Sequence, residues 1–300
     1  MKVLITDKIH DAGKDYLVKK GFEIKEIETP SEARLIEIIP EYDVLIVRSA
    51  TKVTKKVIEN AKRLKIIGRA GVGLDNIDVK TAEERGIKVI NSPESSSVSV
   101  AELTILFMLS ALRRLPDAHN SVKEGKWEKK KFMGKELRGK KVGIIGLGRI
   151  GKEVAKRVKC FDAEVMGFDP HLDHFEYGSL VGKLEDIFLR CDIVTIHTPL
   201  TEGTRNMINR SIFEKSKRGI ILINCARGGI INENDLLWAL DEEIVSIACL
   251  DVYEKEPPDN TLLLNHPKVI LTPHIGAQTV EAQRDASLLL AVKIVKELDV

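Results

Sequence analysis

The chain has 300 residues, of which 43% are hydrophobic and 31% charged, and its formal net charge is only +2. At roughly 150 residues per domain this length suggests two domains, and the apolar fraction argues against a disordered chain. The balanced charge argues against a general nucleic-acid binder, because such a protein carries a strong positive excess on its surface.

Cysteine usage and hydropathy narrow the class of protein further. The four cysteines are Cys160, Cys191, Cys225 and Cys249. They form no CxxC pair, so the sequence predicts neither a disulfide framework nor a zinc site. His171 and His174 form an HxxH that we do not interpret as a ligand pair, and we expect no metal. The N-terminus lacks a signal-peptide core, and no run of about 20 apolar residues occurs. We therefore expect a cytoplasmic protein with no membrane partner.

Short apolar runs alternate with charged stretches over the first 90 residues. The runs predict strands at 3–5, 22–27, 44–47, 66–68 and 89–90. The charged stretches are helix-compatible at 11–20, 31–39, 55–64 and 79–85. This alternation predicts βαβ units around a parallel sheet, whose buried strands are continuous Val/Ile/Leu runs.

The pattern changes near residue 99. Ser99 and Glu102 have the spacing of a capping box, which predicts the start of a helix. An apolar segment at 103–115 follows, and we interpret it as a helix buried in a core or in a subunit interface. The basic segment 123–141, which contains Trp127 and Phe132, is interpreted as a loop region between domains.

From residue 142 onward the alternation of strand and helix resumes. Strands are predicted at 142–145, 164–168, 193–197, 220–223, 245–250 and 269–271, with a final helix at 279–298. These elements indicate a second doubly wound α/β unit.

A GxGxxG formed by Gly146, Gly148 and Gly151 directly follows the predicted strand 142–145. In a dinucleotide-binding turn the first glycine allows the tight turn, the second lets the backbone approach the pyrophosphate, and the third packs helix against strand. Asp169 lies 18 residues after Gly151, at the end of the next strand. Its carboxylate can accept hydrogen bonds from ribose hydroxyls and would repel a 2′-phosphate. The pattern therefore predicts NAD rather than NADP.

Many predicted strands end in a polar or glycine-rich group. These groups are Arg48-Ser49, Arg69-Ala70-Gly71, Gly146, Asp169, Thr198-Pro199, Arg227-Gly228, Asp251 and His274. Ligands of open parallel sheets bind outside the carboxyl ends of the strands, so the series predicts a ligand site there.

Two of these groups, together with a nearby glutamate, suit the oxidation of a 2-hydroxy acid. Arg227, flanked by small residues and glycines, can clamp a carboxylate with two hydrogen bonds. His274 can accept the proton of an alcohol, because histidine titrates near neutrality. A carboxylate at Glu256 could orient the imidazole, and spacing alone leaves Glu254 as a competing candidate.

Five sequence blocks carry a resemblance to a known family. They are GLGRIG at 146–151, HTPL at 197–200, NCARGG at 224–229, CLDV at 249–252 leading to EKEPP at 254–258, and TPHIGAQT at 272–279. In combination they resemble the D-isomer-specific 2-hydroxyacid dehydrogenase family. Four further blocks extend the resemblance over the whole chain: VRSATKVT at 47–54, IIGRAGVGLDNID at 66–78, NSPESSSVSVAELT at 91–104 and GKWEKKKFMGKEL at 125–137. These blocks are most similar to family members that oxidise 3-phospho-D-glycerate.

The resemblance implies two doubly wound parallel-sheet α/β domains. Residues 1–97 and 279–300 would form a flavodoxin-like substrate-binding domain, and residues 98–278 a Rossmann NAD-binding domain. It implies a homodimer in which the cofactor domains pair, partly through the helix near 101–115. Many similar members continue into C-terminal regulatory domains that bind serine, and we expect no serine feedback of that kind in this chain.

The resemblance also implies site residues. Arg227, Glu256 and His274 would be the catalytic set, with Glu256 selected because the matching glutamate directly precedes a proline. The implied cofactor contacts are Val72, Gly146, Gly148, Arg149, Ile150, Gly151, Asp169, Thr198, Cys225, Ala226, Asp251, Gly276 and Ala277. The implied contacts with the substrate are Arg48, Ser49, Arg69 and Gly71.

The expected activity is NAD-dependent oxidation of 3-phospho-D-glycerate, a small phosphorylated 2-hydroxy acid. Glyoxylate, hydroxypyruvate or D-lactate are alternative substrates within the family. A non-catalytic NAD-sensing interaction protein is the alternative from another class, because such proteins keep the same three catalytic residues.

Overall fold

The computed structural model describes residues 1–299 and divides them into two α/β units. The first unit is Met1–Ser97 together with the described residues from Ala277 onward, and the second is Val98–Gly276. The chain thus returns to the first unit after Gly276, whereas the sequence predicts this return at residue 279.

A parallel sheet of five strands forms the centre of the first unit. Its strands are β1 (Lys2–Ile5), β2 (Glu23–Glu26), β3 (Val44–Val47), β4 (Ile66–Arg69) and β5 (Lys88–Asn91). They are ordered β2-β1-β3-β4-β5, which is the flavodoxin-like order. The helices of this unit are α1 (Asp11–Lys19), α2 (Glu32–Ile38), α3 (Lys55–Asn60), α4 (Val79–Glu84) and the C-terminal α12 (Val280–Glu297).

Both faces of this first sheet are covered by helices. All four residues of β3, Val-Leu-Ile-Val, are buried. Leu45 packs with residues of α2–α4, such as Leu35, whereas Val44 packs on the opposite face with Leu290 and Ile294 of α12. Burial on both faces explains why the strands read as continuous apolar runs.

The second unit contains a parallel sheet of seven strands within the described residues. These are β6 (Lys141–Ile145), β7 (Glu164–Phe168), β8 (Ser179–Leu180), β9 (Ile193–Ile196), β10 (Ile220–Asn224), β11 (Val245–Leu250) and β12 (Val269–Leu271). Their order is β12-β11-β10-β9-β6-β7-β8, so the direction of winding reverses between β6 and β9, as in a Rossmann fold. The helices are α5 (Ser97–Arg113), α6 (Leu115–Lys123), α7 (Arg149–Lys159), α8 (Leu184–Arg190), α9 (Arg210–Glu214), α10 (Glu233–Asp241) and α11 (Thr261–Leu264).

The capping box predicted at Ser99 is wrong, because α5 begins two residues earlier, at Ser97. This helix ends at Arg113, and Arg114, with φ of 49°, starts the separate helix α6. Pro116 lies in the first turn of α6, where its missing N–H costs nothing. The basic segment that follows is a loop with a 3₁₀ turn, Lys129–Phe132. It lies inside the second unit, so the prediction that it connects two domains is wrong.

None of the helices formed by residues 1–299 is long and apolar enough to cross a membrane. Within the same residues, no group of three or more His, Cys, Asp or Glu side chains is placed to hold a metal ion.

Candidate active site

The glycine-rich turn lies where the second sheet reverses its winding, between the ends of β6 and β9. Gly146 has φ of +88°, and a Cβ there would lie 2.6 Å from the carbonyl oxygen of His197. A Cβ on Gly151 would lie 2.1 Å from the carbonyl oxygen of Gly146. Gly148, by contrast, faces open space, and as the N-cap of α7 it offers no side-chain acceptor to the first-turn N–H groups. The turn is therefore tight on its inner side and open to an anion on its outer side.

Asp169, at the end of β7, is attached to this turn. Its Oδ2 accepts a hydrogen bond from the N–H of Leu147 at 2.9 Å, and its Oδ1 accepts one from the N–H of His171 at 3.0 Å. Each carboxylate oxygen has a second lone pair, so a ribose diol can still donate to it. Arg149 and Ile150 open α7 on the other side of the turn.

His197 and Thr198 follow β9 beside the glycine turn. The N–H of His197 donates to the carbonyl of Ile145 at 2.7 Å, and its Nε2 lies 2.9 Å from Oγ1 of Thr195. Its Nδ1 is buried without a hydrogen-bond partner among the described residues. Burial lowers the pKa of His197 to about 3, so this imidazole is neutral at physiological pH. The sequence interpretation gave His197 no role of its own.

Arg227 is presented by a turn that the side chain of Asn224 holds. Asn224 Oδ1 accepts from the N–H of Ala226 at 3.0 Å, and its Nδ2 donates to the carbonyl of Arg227 at 2.9 Å. The next residue must be glycine, because a Cβ on Gly228 would lie 1.7 Å from the carbonyl oxygen of Tyr253. The arginine turn therefore packs directly on the loop that begins at Tyr253.

Glu256, in that loop, is paired with His274. Its Oε2 lies 2.8 Å from Nδ1 of His274, and its Oε1 accepts from the N–H of Tyr253 at 3.3 Å. Burial alone would raise the pKa of Glu256. The hydrogen bond and charge of His274, the Tyr253 N–H and the charge of Arg227 outweigh burial and lower this pKa below its usual value. The carboxylate is therefore ionised at neutral pH.

Glu254, which spacing had left as a competitor, is not directed at His274. Its carboxylate accepts a hydrogen bond from the N–H of Glu233 at 3.1 Å, at the start of α10. The structure thus brings Glu256, and not Glu254, to the histidine.

A buried carboxylate shapes the loop of His274. Asp251 is 1% exposed, and its Oδ1 accepts from Oγ1 of Thr272 at 2.6 Å and from the N–H of Ile275 at 2.7 Å. Its Oδ2 accepts from the N–H of Gly276 at 2.8 Å. Between these bonds His274 adopts φ of 51°, a left-handed conformation that few residues other than glycine adopt. Asp251, which we predicted as a cofactor contact, therefore anchors the loop of His274.

The remaining predicted cofactor contacts are divided between the units. Cys225 and Ala226 are buried at the end of β10, and burial raises the pKa of the Cys225 thiol to about 12. A thiol in that state is a poor nucleophile, which agrees with a role in packing. Val72 and Ala277 belong to the first unit.

The predicted substrate contacts all lie in the first unit, at the ends of β3 and β4. Its sheet reverses winding between β1 and β3, where Asp7 and Arg48 follow the two strands. The N–H of Arg48 donates to Oδ2 of Asp7 at 2.6 Å, and Nη1 of Arg48 donates to the carbonyl of Lys8 at 3.4 Å. Burial lowers the pKa of Arg48, and the charge of Asp7 opposes that shift. Ser49, the next residue, is exposed.

Arg69 is the last residue of β4 in the same unit, and Gly71 lies two residues beyond it. The guanidinium of Arg69 folds over Gly71, where a Cβ would lie 2.3 Å from Nη1. Gly71 has φ of +149°, and its N–H donates to Oγ of Ser92 at 3.0 Å. Only glycine leaves room for this arrangement of the arginine.

Comparison with known proteins assigns the family. Residues 105–276 match the family model described as "D-isomer specific 2-hydroxyacid dehydrogenase, NAD binding domain". The chain belongs to this dehydrogenase family. It is 48% identical over 300 residues to a D-3-phosphoglycerate dehydrogenase of Archaeoglobus fulgidus, covering 98% of this chain and 57% of that protein. It is 47% identical to a hydroxypyruvate reductase of Thermotoga maritima, covering 100% of this chain and 99% of that one.

A solved structure agrees with the family assignment. The NAD-dependent formate dehydrogenase of Staphylococcus aureus, in complex with NAD, superposes with a TM-score of 0.85 at 29% identity, covering 99% of this chain and 96% of that one. This chain spans little more than half the length of the D-3-phosphoglycerate dehydrogenases it matches. The expected fold, two parallel-sheet α/β domains of this dehydrogenase family, is confirmed.

The second unit contains the family's NAD-binding domain, and its residues fit NAD. Gly148 leaves open the space that a pyrophosphate needs, and the first-turn N–H groups of α7 have no capping side chain. Asp169 offers a carboxylate to ribose hydroxyls and opposes a 2′-phosphate.

Proposed function

We propose that this chain is an NAD-dependent D-3-phosphoglycerate dehydrogenase. It would oxidise 3-phospho-D-glycerate to 3-phosphohydroxypyruvate, the first step of L-serine biosynthesis. The pairing of His274 with Glu256 at 2.8 Å on an NAD-binding unit carries this proposal. The name shared by several relatives at 43–48% identity supports the choice of substrate.

His274 acts as the general base through its Nε2. Because Glu256 is ionised and can only accept hydrogen bonds, Nδ1 of His274 carries a proton toward it. In the neutral imidazole Nε2 is then the lone-pair nitrogen, and it takes the proton of the C2 hydroxyl. NAD, when bound, supplies the acceptor for the C2 hydride. In the reverse direction the same nitrogen returns the proton to the C2 oxygen.

Arg227 holds the substrate carboxylate and the C2 oxygen through its guanidinium. A planar fork of donors suits a carboxylate and fixes its orientation. The hydrogen bond from Asn224 to the carbonyl of Arg227 and the close packing of Gly228 on Tyr253 hold the backbone of Arg227 against the loop of Glu256. Positioning of this kind contributes to catalysis by limiting the motions of the reacting groups.

NAD is held by the second unit at the glycine turn and Asp169. We propose further contacts at Val72, Thr198, Cys225, Ala226, Asp251, Gly276 and Ala277. The Asp251 carboxylate keeps lone pairs beyond its three hydrogen bonds, so anchoring the His274 loop is compatible with a cofactor contact.

The substrate phosphate is bound by Arg48, with Ser49, Arg69 and Gly71 as further contacts. Arg48 stands where the first sheet reverses its winding, which is where ligands of such sheets bind. An arginine provides both charge and a bidentate donor for phosphate.

The substrate panel tests this proposal. The enzyme is mixed with NAD and one of 3-phospho-D-glycerate, glycerate, D-lactate or glycolate at alkaline pH, and NADH absorbance is followed. We expect the highest kcat/KM with 3-phospho-D-glycerate. Preference for an unphosphorylated acid would reject the substrate, and no turnover with any acid would favour an NAD-sensing interaction protein.

Hydroxypyruvate reduction is the second candidate. The Thermotoga maritima relative of that name is matched over 99% of its own length, unlike the D-3-phosphoglycerate dehydrogenases. Hydroxypyruvate has no phosphate, so a reductase would have no need of Arg48. Oxidation of NADH with hydroxypyruvate and with 3-phosphohydroxypyruvate, compared in wild type and Arg48→Ala, separates the two activities.

Homodimer formation and a cytoplasmic location stay predictions. The homodimer proposal draws support from α5, where Val98 and Leu106 are 48% and 53% exposed despite being apolar. Light scattering on the purified protein tests it, since a dimer has twice the mass of the chain.

A further inference from the structure

Glu254 and Glu233 bind each other's backbone. Oε1 of Glu254 accepts a hydrogen bond from the N–H of Glu233 at 3.1 Å, and Oε1 of Glu233 accepts one from the N–H of Glu254 at 2.8 Å. Glu233 is the first residue of α10, and Glu254 lies in the loop that carries Glu256. The reciprocal pair therefore joins the start of that loop to the N-terminus of a helix.

Glu233 also reaches the far end of the same loop. Its Oε2 accepts from Nδ2 of Asn260 at 3.3 Å, and Asn260 is the N-cap of α11. Both ends of segment 254–260 are thus attached to α10, whose side chains Leu236 and Leu240 are fully buried. The helix gives the exposed loop a rigid support.

Glu256 lies between these two attachments. Its own carboxylate is bonded to Tyr253 at the long distance of 3.3 Å and to His274. Its side chain is 40% exposed, so packing alone does not hold it. The direction of the Glu256 carboxylate therefore depends on the backbone of its loop. A displacement of about 1 Å in such a group can cost about 100-fold in rate.

We propose that Glu254 and Glu233 are positioning residues that set Glu256 against His274 by fixing the backbone of segment 254–260. The kinetic test of this inference rests on the proposed function, whereas the exchange measurement below does not. Glu254 acts here as a hydrogen-bond acceptor toward an N–H, so an amide oxygen can replace its carboxylate oxygen. Glu256 differs, because it must carry a charge opposite His274.

Four variants test the proposal: Glu254→Ala, Glu254→Gln, Glu256→Gln and the double variant Glu254→Ala/Glu256→Gln. We expect Glu254→Ala to lower kcat about 10- to 100-fold with the KM for NAD unchanged. Glu254→Gln should restore kcat to within about 2-fold of wild type, because the acceptor oxygen is kept. Asp259→Ala is the matched control, since Asp259 lies in the same loop and its carboxylate accepts a hydrogen bond from Lys255, which is not part of α10.

The double variant separates positioning from general destabilisation. If Glu254 acts through Glu256, the alanine substitution adds no further loss once Glu256 is glutamine. An equal loss in both backgrounds would overturn the proposal, as would a kcat of Glu254→Ala within about 2-fold of wild type.

Hydrogen–deuterium exchange of the loop provides a measurement that needs no turnover. Amide exchange in 254–260 should be faster in Glu254→Ala and unchanged in Glu254→Gln and Asp259→Ala. If the wild type oxidises no hydroxy acid, the proposed function fails, while the exchange rates still decide whether the glutamate pair holds the loop. Unchanged exchange in Glu254→Ala would overturn the proposal.

Discussion

The two units share one feature of sheet topology, a single reversal of winding, and present different chemistry there. Each has a parallel sheet whose winding reverses once, between β1 and β3 in the first unit and between β6 and β9 in the second. At the first reversal stand Asp7 and Arg48, and at the second stand Gly146 and His197. The loop in the second unit is formed by glycines, and Gly148, the N-cap of α7, has no side chain to bind the first-turn N–H groups.

The corresponding loop in the first unit is held by side chains instead. Asp7 is 5% exposed and accepts from Oγ1 of Thr29 at 3.0 Å, from the N–H of Arg48, and from both the N–H and Oγ1 of Thr51. On the other side, Nδ2 of Asn76 donates to the carbonyls of Arg48 and Thr51 at 2.8 and 2.6 Å. A loop of this kind can hold a charged side chain in place, whereas a glycine turn brings the backbone itself to a ligand. Topology thus selects where a ligand binds, and the loop composition selects its chemistry.

The largest expected effect separates cofactor binding from chemistry within the second unit. His274→Ala should lower kcat by about 10²- to 10⁴-fold, because the general base is lost, while NAD binding survives at the glycine turn. Steady-state kinetics and an NAD titration followed by fluorescence measure the two quantities. His266→Ala is the control, since His266 pairs with Asp241 away from this loop. A mutant with near-wild-type turnover would remove His274 from the mechanism.

The next prediction concerns the first unit and its arginine. Arg48→Ala should lower kcat/KM for 3-phospho-D-glycerate by roughly 10- to 100-fold. This range follows from the loss of one hydrogen bond to a charged group, which contributes about 1.5–3 kcal/mol. The affinity for NAD should not change, because the glycine turn and Asp169, which hold NAD in our proposal, do not involve Arg48. Unaltered efficiency with the phosphorylated substrate would show that the phosphate assignment is wrong.

The buried imidazole of His197 makes the stability of the second unit depend on pH. The pKa of His197 is lowered to about 3 in the folded state and is near 6.5 in the unfolded chain, so only the unfolded chain takes up a proton between these values. Stability therefore falls as pH drops below 6.5, by about 2 kcal/mol at pH 5. Urea unfolding of wild type and His197→Asn at pH 7.5 and 5 measures this contribution. An identical loss in both proteins would contradict it.

The smallest expected effect concerns the side chain of Asn76, which holds the loop of Arg48 in the first unit. Asn76→Ala removes two hydrogen bonds to the loop of Arg48, and such bonds are worth about 0.5–1.5 kcal/mol each. We expect the KM for 3-phospho-D-glycerate to rise by roughly 3- to 10-fold in steady-state kinetics. The KM for hydroxypyruvate should be unchanged. An equal effect on both substrates would mean that Asn76 supports the unit generally rather than the phosphate loop.

Part of the candidate site followed from local patterns. The glycine turn and Asp169 were predicted from their spacing, and they lie together in the structure at 2.9 Å. The choice between Glu254 and Glu256 did not follow from spacing, because both lie in one exposed loop and either could reach a histidine. The anchoring by Asp7 and by Glu233 was not foreseen either. An isolated acid after a strand or at a helix start looks like a turn or cap residue.

The sequence by itself determined the parallel α/β architecture and the dinucleotide turn, since buried strands and glycine spacing are properties of contiguous residues. Only the tertiary structure decided which groups meet. Asp7 and Arg48 are 41 residues apart and Glu233 and Glu254 are 21 apart, yet each pair is hydrogen-bonded. Hydrogen bonds act over about 3 Å, so their partners are chosen by how the strands and loops assemble. The local propensities of the residues therefore do not determine which of these groups become hydrogen-bond partners.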